Sequence, residues 1–273
     1  MAKQSGIHQL NGKLRGVSYY RQKYVKDGLA RTINEGMSDR VKNAPEYANT
    51  RKNASEFGAS GSTVGAGIRV LSKKWRYILN PFATGMAQKD MLRILKQDTT
   101  GDWGERGFEG AAWKDALCAA ITAQSKNSFV QDVKPFPVAV KAATTAGNVA
   151  VISNTPYVAT DFQNLAARGA EGIVIELYRV KVTPSTFVDP EVGYSKATSD
   201  FVLVSDSGQI EIGGAGDINL AGSFKGTIAE FQDDAPDMSA MLMVCLPYKM
   251  INNTAYTLQE LCSARIIRPE VQE

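Results

Sequence analysis

The hydrophobic pattern is most regular between Asn43 and Leu79. The larger or more apolar positions there follow one another at alternating steps of three and four residues: Tyr47, Thr50, Ala54, Phe57, Gly61, Val64, Ile68, Leu71, Trp75 and Ile78. This spacing holds the side chains on one stripe of a helix. Asn43, with Glu46 three residues later, is predicted to cap the helix, and Asn80-Pro81 is predicted to end it.

Four glycines interrupt this predicted helix: Gly58, Gly61, Gly65 and Gly67. Each costs about 1 kcal/mol relative to alanine in a helix interior. We therefore expect the helix either to pack closely against a partner over these small residues or to break there into two pieces. Its N-terminal part is predicted to be an assembly surface, and Val64 to Ile78 to pack within the chain. A phosphate-binding loop is disfavoured because helical periodicity precedes the glycines and no Gly-Lys-Ser/Thr follows them.

The rest of the chain changes from helical to strand periodicity. A hairpin is predicted near the N-terminus, from a strand over 12–21, a turn at 26–28 and a return strand over 29–34. Two further helices, Met86–Gln97 and Ala111–Gln124, are expected to pack with the first as a bundle. Strands are predicted from residue 129 onward: Phe136–Ala142, Asn148–Ser153, Gly172–Thr183, Ser199–Ser205, Gln209–Ile212, Ser223–Phe231, Met238–Leu246 and Thr254–Ile267.

These elements predict an α+β fold, with an N-terminal hairpin arm and helices followed by a C-terminal antiparallel β-sandwich or barrel. Three segments follow from the pattern. They are a basic extended or hairpin arm over residues 1–44, a helical region over 45–127 and a β-sandwich domain over 128–273.

The charge of the chain is unevenly distributed. Residues 1–80 carry fifteen Lys and Arg against five Asp and Glu, a net charge of +10, whereas the remainder carries sixteen against twenty-three, a net charge of −7. A basic arm can neutralise phosphates, but it can also dock on an acidic neighbour, including another copy of the same chain. We favour protein docking because no recognised DNA- or RNA-binding motif accompanies the basic residues.

Candidate chemistry is sparse. The three cysteines are widely spaced and are predicted to be buried apolar residues, and His8 is the single histidine. The sequence therefore offers no catalytic, cofactor-binding or metal-binding set, and we expect no enzyme. The remaining enzyme hypothesis is a carboxylate-based glycosidase that uses Asp98, Asp102 and Glu105. Asp233, Asp234 and Asp237 fit a solvated turn better than a calcium loop.

No apolar run approaches the length of a membrane span, and the first residues lack the apolar segment of a secretory signal. We expect synthesis in the cytoplasm and no membrane partner. The pair Tyr19-Tyr20 lies among basic residues, where tyrosines are typical interface anchors. Stacking on single-stranded bases is the alternative role for them.

Two stretches carry a resemblance to a known family. One is the run Gly12-Lys-Leu-Arg-Gly-Val-Ser-Tyr-Tyr-Arg, and the second contains Arg40, Asn43, Pro45, Tyr47, Thr50, Arg51, Asn53, Glu56, Phe57 and Gly58. Over about the first 80 residues the chain resembles a family of structural proteins found in phages and prophages of Bacteroidota. The family carries no catalytic residues that could be transferred to this chain.

The resemblance implies a virion structural protein of a bacteriophage, present in many copies. A capsid-associated auxiliary protein is our first expectation, and a neck or tail ring component, such as a head–tail connector protein, is the second. The implied partners are other virion proteins and copies of the same chain, with possible contact to packaged DNA. The alternative function is nucleic-acid binding through the basic arm. The residues predicted to form the assembly interface are Tyr19, Tyr20, Arg21, Arg31, Arg40, Tyr47, Arg51, Phe57 and Trp75.

Overall fold

The computed structural model has an α+β fold made of helices and antiparallel sheets. It describes residues 2–4, 11–14, 17–20, 28–32, 36–80, 82–125, 138–143, 148–153, 157–158, 163–206, 208–212, 217–218, 225–227 and 236–267. The three predicted segments stay a prediction, and the chain divides into two compact units. They are Met1–Ala54, the N-terminal unit, and Ser55–Glu273, the body.

The N-terminal unit contains a four-stranded antiparallel sheet in the order β1-β4-β3-β2. Its strands are β1 (Ala2–Gln4), β2 (Gly12–Leu14), β3 (Val17–Tyr20) and β4 (Gly28–Thr32). The single strand predicted over 12–21 is therefore wrong, because β2 and β3 pair with each other, Leu14 opposite Val17. The predicted pairing of this region with a return strand is confirmed by β3 and β4.

The described residues form five α-helices: α1 (Met37–Asn43), α2 (Ala48–Lys74), α3 (Ala83–Leu95), α4 (Ala112–Ala123) and α5 (Gln163–Ala167). The predicted cap at Asn43 is wrong, because Asn43 is the last residue of α1 and the extended Ala44 separates it from the next turn. The predicted end at Asn80 is also wrong. The α-helix ends at Lys74, and the short 3-10 helix Arg76–Ile78 then turns Ile78 into the core.

The body is built on a six-stranded antiparallel sheet in which β11, β8, β15 and β16 follow one another, while β12 pairs with β8 and β17 pairs with β15. Its strands are β8 (Gly172–Thr183), β11 (Thr198–Asp206), β12 (Ile210–Glu211), β15 (Met238–Ile251), β16 (Thr254–Thr257) and β17 (Ser263–Ile267). The prediction for β8 is confirmed residue for residue. The strand predicted over 254–267 is two strands, because the 3-10 helix Gln259–Leu261 interrupts it.

Three smaller sheets complete the described strands. They are formed by β5 (Val138–Ala143), β6 (Asn148–Ser153) and β14 (Lys225–Thr227), by β7 (Tyr157–Val158) and β13 (Asp217–Ile218), and by β9 (Phe187–Asp189) and β10 (Gly193–Tyr194). The prediction for β6 is confirmed. Of the strand predicted over 223–231, the structure describes only the middle part, β14, as a strand. The sandwich or barrel arrangement of these sheets stays a prediction.

The core of the body lies between helices and sheet, which the sequence pattern did not predict. Alternate residues of β8, β15 and β17 pack with residues of α2, α3 and α4 in one hydrophobic cluster. The face of α2 that carries Val64, Ile68 and Leu71 is buried there, as expected for that part of the helix. The three cysteines, Cys118, Cys245 and Cys262, are buried thiols that form no disulfide, which confirms their predicted burial.

Two of the four glycines of α2 lie where the helix packs closely against a neighbouring helix. A Cβ on Gly67 would lie 2.8 Å from Cδ1 of Ile121 on α4, and one on Gly61 would lie 2.7 Å from Nε2 of Gln88 on α3. Gly58 and Gly65 face no atom within 4 Å. The prediction of close helix packing is thus confirmed at Gly61 and Gly67, and α2 does not break. Of the described helices, none combines the length and apolar character needed to cross a membrane.

Candidate assembly surface

The segment from α1 to the start of α2 is organised by Arg40, Tyr47 and Arg51, which are three of the predicted assembly residues. The guanidinium of Arg51 donates hydrogen bonds to the carbonyl oxygens of Val41 at 2.8 Å and of Ala44 at 2.9 Å. Val41 belongs to the last turn of α1, where a helix leaves its acceptors without intrahelical donors, and Ala44 directly follows α1, where its carbonyl also accepts a hydrogen bond from the Tyr47 amide. Arg51 therefore has a structural role as a cap, in addition to its predicted role in assembly.

Two more predicted residues meet beside this cap. Arg40 lies 3.4 Å from the Glu46 carboxylate, and its guanidinium carbon is 5.9 Å from the centre of the Tyr47 ring. The hydroxyl of Tyr47 contacts the sulfur of Met37 at 3.7 Å. Arg40 and Glu46 are mostly exposed, so this ion pair adds little stability in water. The structure brings Arg40, Tyr47 and Arg51 together in one segment with an exposed basic side.

The sheet of the N-terminal unit has a basic face. Lys13 of β2 lies opposite Ser18 of β3, and Ser18 lies opposite Arg31 of β4, so the three residues share one face of the sheet. Tyr20 is two residues from Ser18 and lies on the same face, and the Arg31 guanidinium is 5.8 Å from the centre of its ring. Lys13 and Arg31 are exposed. This basic face combines two cations with a half-buried tyrosine.

The described residues of the N-terminal unit form almost no core. Among its described residues Leu29 is the one buried hydrophobic residue, and the side chains of β3 are all half-buried. The unit carries eleven Lys and Arg against four Asp and Glu, a net charge of +7, and the body carries twenty against twenty-four, a net charge of −4. A small sheet that buries so little is marginally stable by itself. The surface of this unit is therefore suited to burial against a partner.

The other predicted assembly residues are distributed differently. Tyr19 lies on the opposite face of the sheet from Tyr20. Phe57 is 55% exposed on α2 in the body, in keeping with a contact residue. Trp75 requires a correction, because it is 2% exposed and packs edge-on against Tyr178 at 5.0 Å between ring centres. Arg21 lies outside the described residues.

A glycine-rich loop between α3 and α4, residues 98–110, is held rigidly by a carboxylate. Asp98 accepts hydrogen bonds from the backbone amides of Thr100 and Gly107 at 2.8 and 2.7 Å, and from the Thr100 hydroxyl at 2.7 Å. Burial by itself would raise the pKa of Asp98, but these bonds outweigh it and lower the pKa to about 2. A carboxylate held ionised in this way cannot act as the proton donor of a glycosidase.

A second carboxylate fixes the same loop from α2. Glu56 is fully buried and accepts a hydrogen bond from the amide of Gly104 at 2.8 Å, and its Oε1 lies 3.6 Å from Nη1 of Arg106. The hydroxyl of Tyr194 donates to the carbonyl of Arg106 at 2.8 Å, and burial, followed by the charges of Glu56 and Glu105, raises the pKa of Tyr194. The loop therefore presents its outer side chains, Asp102, Trp103, Glu105 and Glu109, on a fixed backbone, all exposed.

A third group of polar side chains joins the end of α2 to the sheet. Lys74 lies 3.1 Å from the Glu176 carboxylate, which also accepts a hydrogen bond from the Tyr178 hydroxyl at 2.6 Å. Nearby, burial raises the pKa of Cys262 to about 12 and that of Tyr178 above its ordinary value. Neither group is ionised at neutral pH, so this cluster supplies no activated nucleophile.

No protein-family model, curated protein or solved structure matches this chain. The function therefore has to be inferred from the surfaces described above.

Sequence reasoning missed Lys13 and Trp103 as surface residues of interest. Lys13 aligns with Arg31 because β2 pairs with β3 and β3 pairs with β4. A single strand over 12–21 does not predict this alignment. Trp103 lies between the helices predicted over Met86–Gln97 and Ala111–Gln124, and no role was predicted for it. An aromatic residue flanked by acids within a run of four glycines is the signal that could have identified it.

Proposed function

We propose that this protein is a structural component of a bacteriophage particle, present in many copies, which assembles through its N-terminal unit. The observation that carries the proposal is that this unit is strongly basic and has one buried hydrophobic residue, Leu29, among its described residues. The resemblance of its residues to a family of phage structural proteins supports the same conclusion.

The N-terminal unit gains its stability by docking. Isolated surface ion pairs such as Arg40–Glu46 contribute little, and a four-stranded sheet needs one covered face to be stable. Docking would bury the half-exposed tyrosines of β3, which are the residue type that most often dominates protein interfaces. Within the particle, we favour a capsid-associated auxiliary protein and place a neck or tail ring component second.

The proposal is tested by particle composition and by self-association. The chain should be found by mass spectrometry in purified particles, in a fixed ratio to the major particle protein. In solution, the mass of the full-length chain should rise with concentration, and Tyr20→Ala combined with Arg31→Glu should weaken this association. Lys249→Glu, on an exposed part of the body, is the matched control. A chain that is absent from particles and remains monomeric would refute the proposal.

Nucleic-acid binding is the second candidate, and one observation favours it. The basic face places Tyr20 beside Arg31 and on the same side of the sheet as Lys13, an arrangement that could stack a base and contact phosphates. Binding to single-stranded DNA would then fall steeply with salt and would be lost in Tyr20→Ala. Self-association that persists in high concentrations of competing DNA would favour protein docking instead.

A further inference from the structure

We propose that the acceptor for the basic face of one copy is the loop 98–110 on the body of a second copy. This inference rests on the proposed function, since it names the partner surface that the N-terminal unit would contact. The docking is head-to-tail, with the basic face of each copy on the loop of the next.

The loop has the chemistry that a basic, tyrosine-bearing surface requires. Trp103 is 36% exposed and stands between the exposed carboxylates of Asp102 and Glu105. An indole ring attracts Arg and Lys through its π face, and neighbouring carboxylates add direct charge attraction. Residues 98–110 contain four acids and one base, a net charge of −3, and the base, Arg106, is directed to the buried Glu56.

The loop is also preorganised, so docking costs little conformational entropy. Asp98 fixes the backbone on one side of Trp103, and Glu56 fixes the amide of Gly104 that follows it. A contact residue on a backbone that is already fixed in the free protein binds more tightly than the same residue on a mobile loop. The complementary surface is described as well: Lys13 and Arg31 share one face of the N-terminal sheet with Tyr20.

Charge complementarity selects a second copy over nucleic acid as the occupant of this loop. The body as a whole has a net charge of −4 and the N-terminal unit +7, so copies attract one another through unlike regions. A polyanion would be repelled by the loop. Because the two surfaces differ, the contact is heterologous, and repeated docking forms either a closed ring or an open array, both of which suit a multi-copy component.

The test uses two charge-reversed forms of the full-length chain. One form carries Lys13→Glu and Arg31→Glu, and the other carries Asp102→Lys and Glu105→Lys. Each form by itself should associate at least about 10-fold more weakly than the unchanged chain, because every contact then joins like charges. An equimolar mixture should recover association, since each reversed surface then meets an opposite charge. Sedimentation velocity with one form fluorescently labelled measures both results.

Single variants complete the test. Trp103→Ala should weaken association by about 30-fold, as expected for a central aromatic contact. Tyr256→Ala removes a more exposed aromatic side chain from β16 and should leave association unchanged. Circular dichroism confirms that each variant is folded.

The outcomes separate this inference from the proposed function. Association could be lost with Lys13→Glu and Arg31→Glu but unchanged in the Asp102, Glu105 and Trp103 variants. That result would overturn the loop as the acceptor and would leave assembly through the N-terminal unit intact. Failure of the mixture to recover association would also overturn it. A chain that stays monomeric in every form would overturn both.

Discussion

Charged side chains hold two segments of this chain in place, but in different surroundings. One segment is the loop 98–110 in the body, and the other runs from Gly36 to Arg51 in the N-terminal unit. In each, a charged side chain binds backbone groups in a loop or at the end of a helix. In the loop this side chain is a fully buried carboxylate, Glu56, together with Asp98. In the N-terminal unit it is the partly exposed guanidinium of Arg51, and the adjacent ion pair is open to water.

The two segments therefore differ in how strongly their own contacts hold them. A charge that is removed from water and then deprived of its partner costs several kcal/mol, so the body's loop is fixed by the chain itself. An exposed charge that loses its partner returns to water at little cost. The N-terminal segment is therefore shaped only weakly by its own contacts, which fits a surface that is completed by docking.

The largest effect expected from this comparison is at Glu56. Replacing Glu56 with Ala removes the acceptor for Gly104 and leaves Arg106 without its buried partner. The free energy of unfolding should fall by about 3 kcal/mol. Denaturant unfolding followed by tryptophan fluorescence measures it, since all three tryptophans, Trp75, Trp103 and Trp113, belong to the body.

The matched control is Glu46→Ala, which breaks the exposed ion pair with Arg40. It should change the free energy of unfolding by less than about 0.5 kcal/mol. Equal effects of the two substitutions would contradict the contrast between the two segments.

A second test concerns packing in the body, where neighbouring glycines of α2 differ. Gly67→Ala would place a Cβ 2.8 Å from Ile121, which is itself buried and has little room to move. We expect a loss of about 1–2 kcal/mol in the free energy of unfolding. Gly65→Ala has no neighbour within 4 Å and should instead stabilise the helix, by about 0.5–1 kcal/mol.

The same denaturant measurement compares the two variants. If Gly67→Ala proved as stabilising as Gly65→Ala, close packing of α2 against α4 would not be the reason for the glycine.

The sequence predicted those parts of the fold that depend on local pattern. Strand β8 and the buried stripe of Val64, Ile68 and Leu71 follow from periodicity, because burial there selects apolar side chains at fixed spacing. The face of α2 that carries Glu56, Ser60 and Thr63 could not be predicted in this way, because these residues are polar and yet buried. Polar residues are buried when they find partners, and two of these partners, the amides of Gly104 for Glu56 and of Ser185 for Thr63, lie far along the chain.

The candidate site shows the same limit. Tyr20 and Arg31 were predicted from composition, but their position on one face with Lys13 depends on strand register. Trp75 was misassigned because a tryptophan at the end of an amphipathic helix fits an interface and a core equally well. The partner ring that decides the matter, Tyr178, is more than a hundred residues away in the sequence.

A smaller effect is expected from the pH dependence of the body. The folded state lowers the pKa of Asp98 from 3.8 to about 2, so Asp98 stabilises the fold above about pH 4, and this contribution is lost as the pH falls toward 2. After allowance for solvent screening we expect about 1 kcal/mol. Asp98→Asn should remove this part of the acid dependence, whereas Asp102→Asn on the same loop should retain it. Thermal unfolding between pH 2 and 5 distinguishes the variants.

The smallest effect is expected at Arg51. Arg51→Ala removes both hydrogen bonds at the end of α1, yet Val41 and Ala44 are only partly buried and the Ala44 carbonyl keeps its hydrogen bond from the Tyr47 amide, so the cost is at most about 1 kcal/mol. It should appear as faster hydrogen exchange confined to residues 37–51, while the tryptophan-detected unfolding of the body is unchanged. Arg51→Lys, which keeps the charge but cannot reach both carbonyls with one planar group, should exchange nearly as fast. Slow exchange in the alanine variant would mean that the N-terminal unit holds its shape without this cap, and the contrast between the two segments would then lie in burial alone.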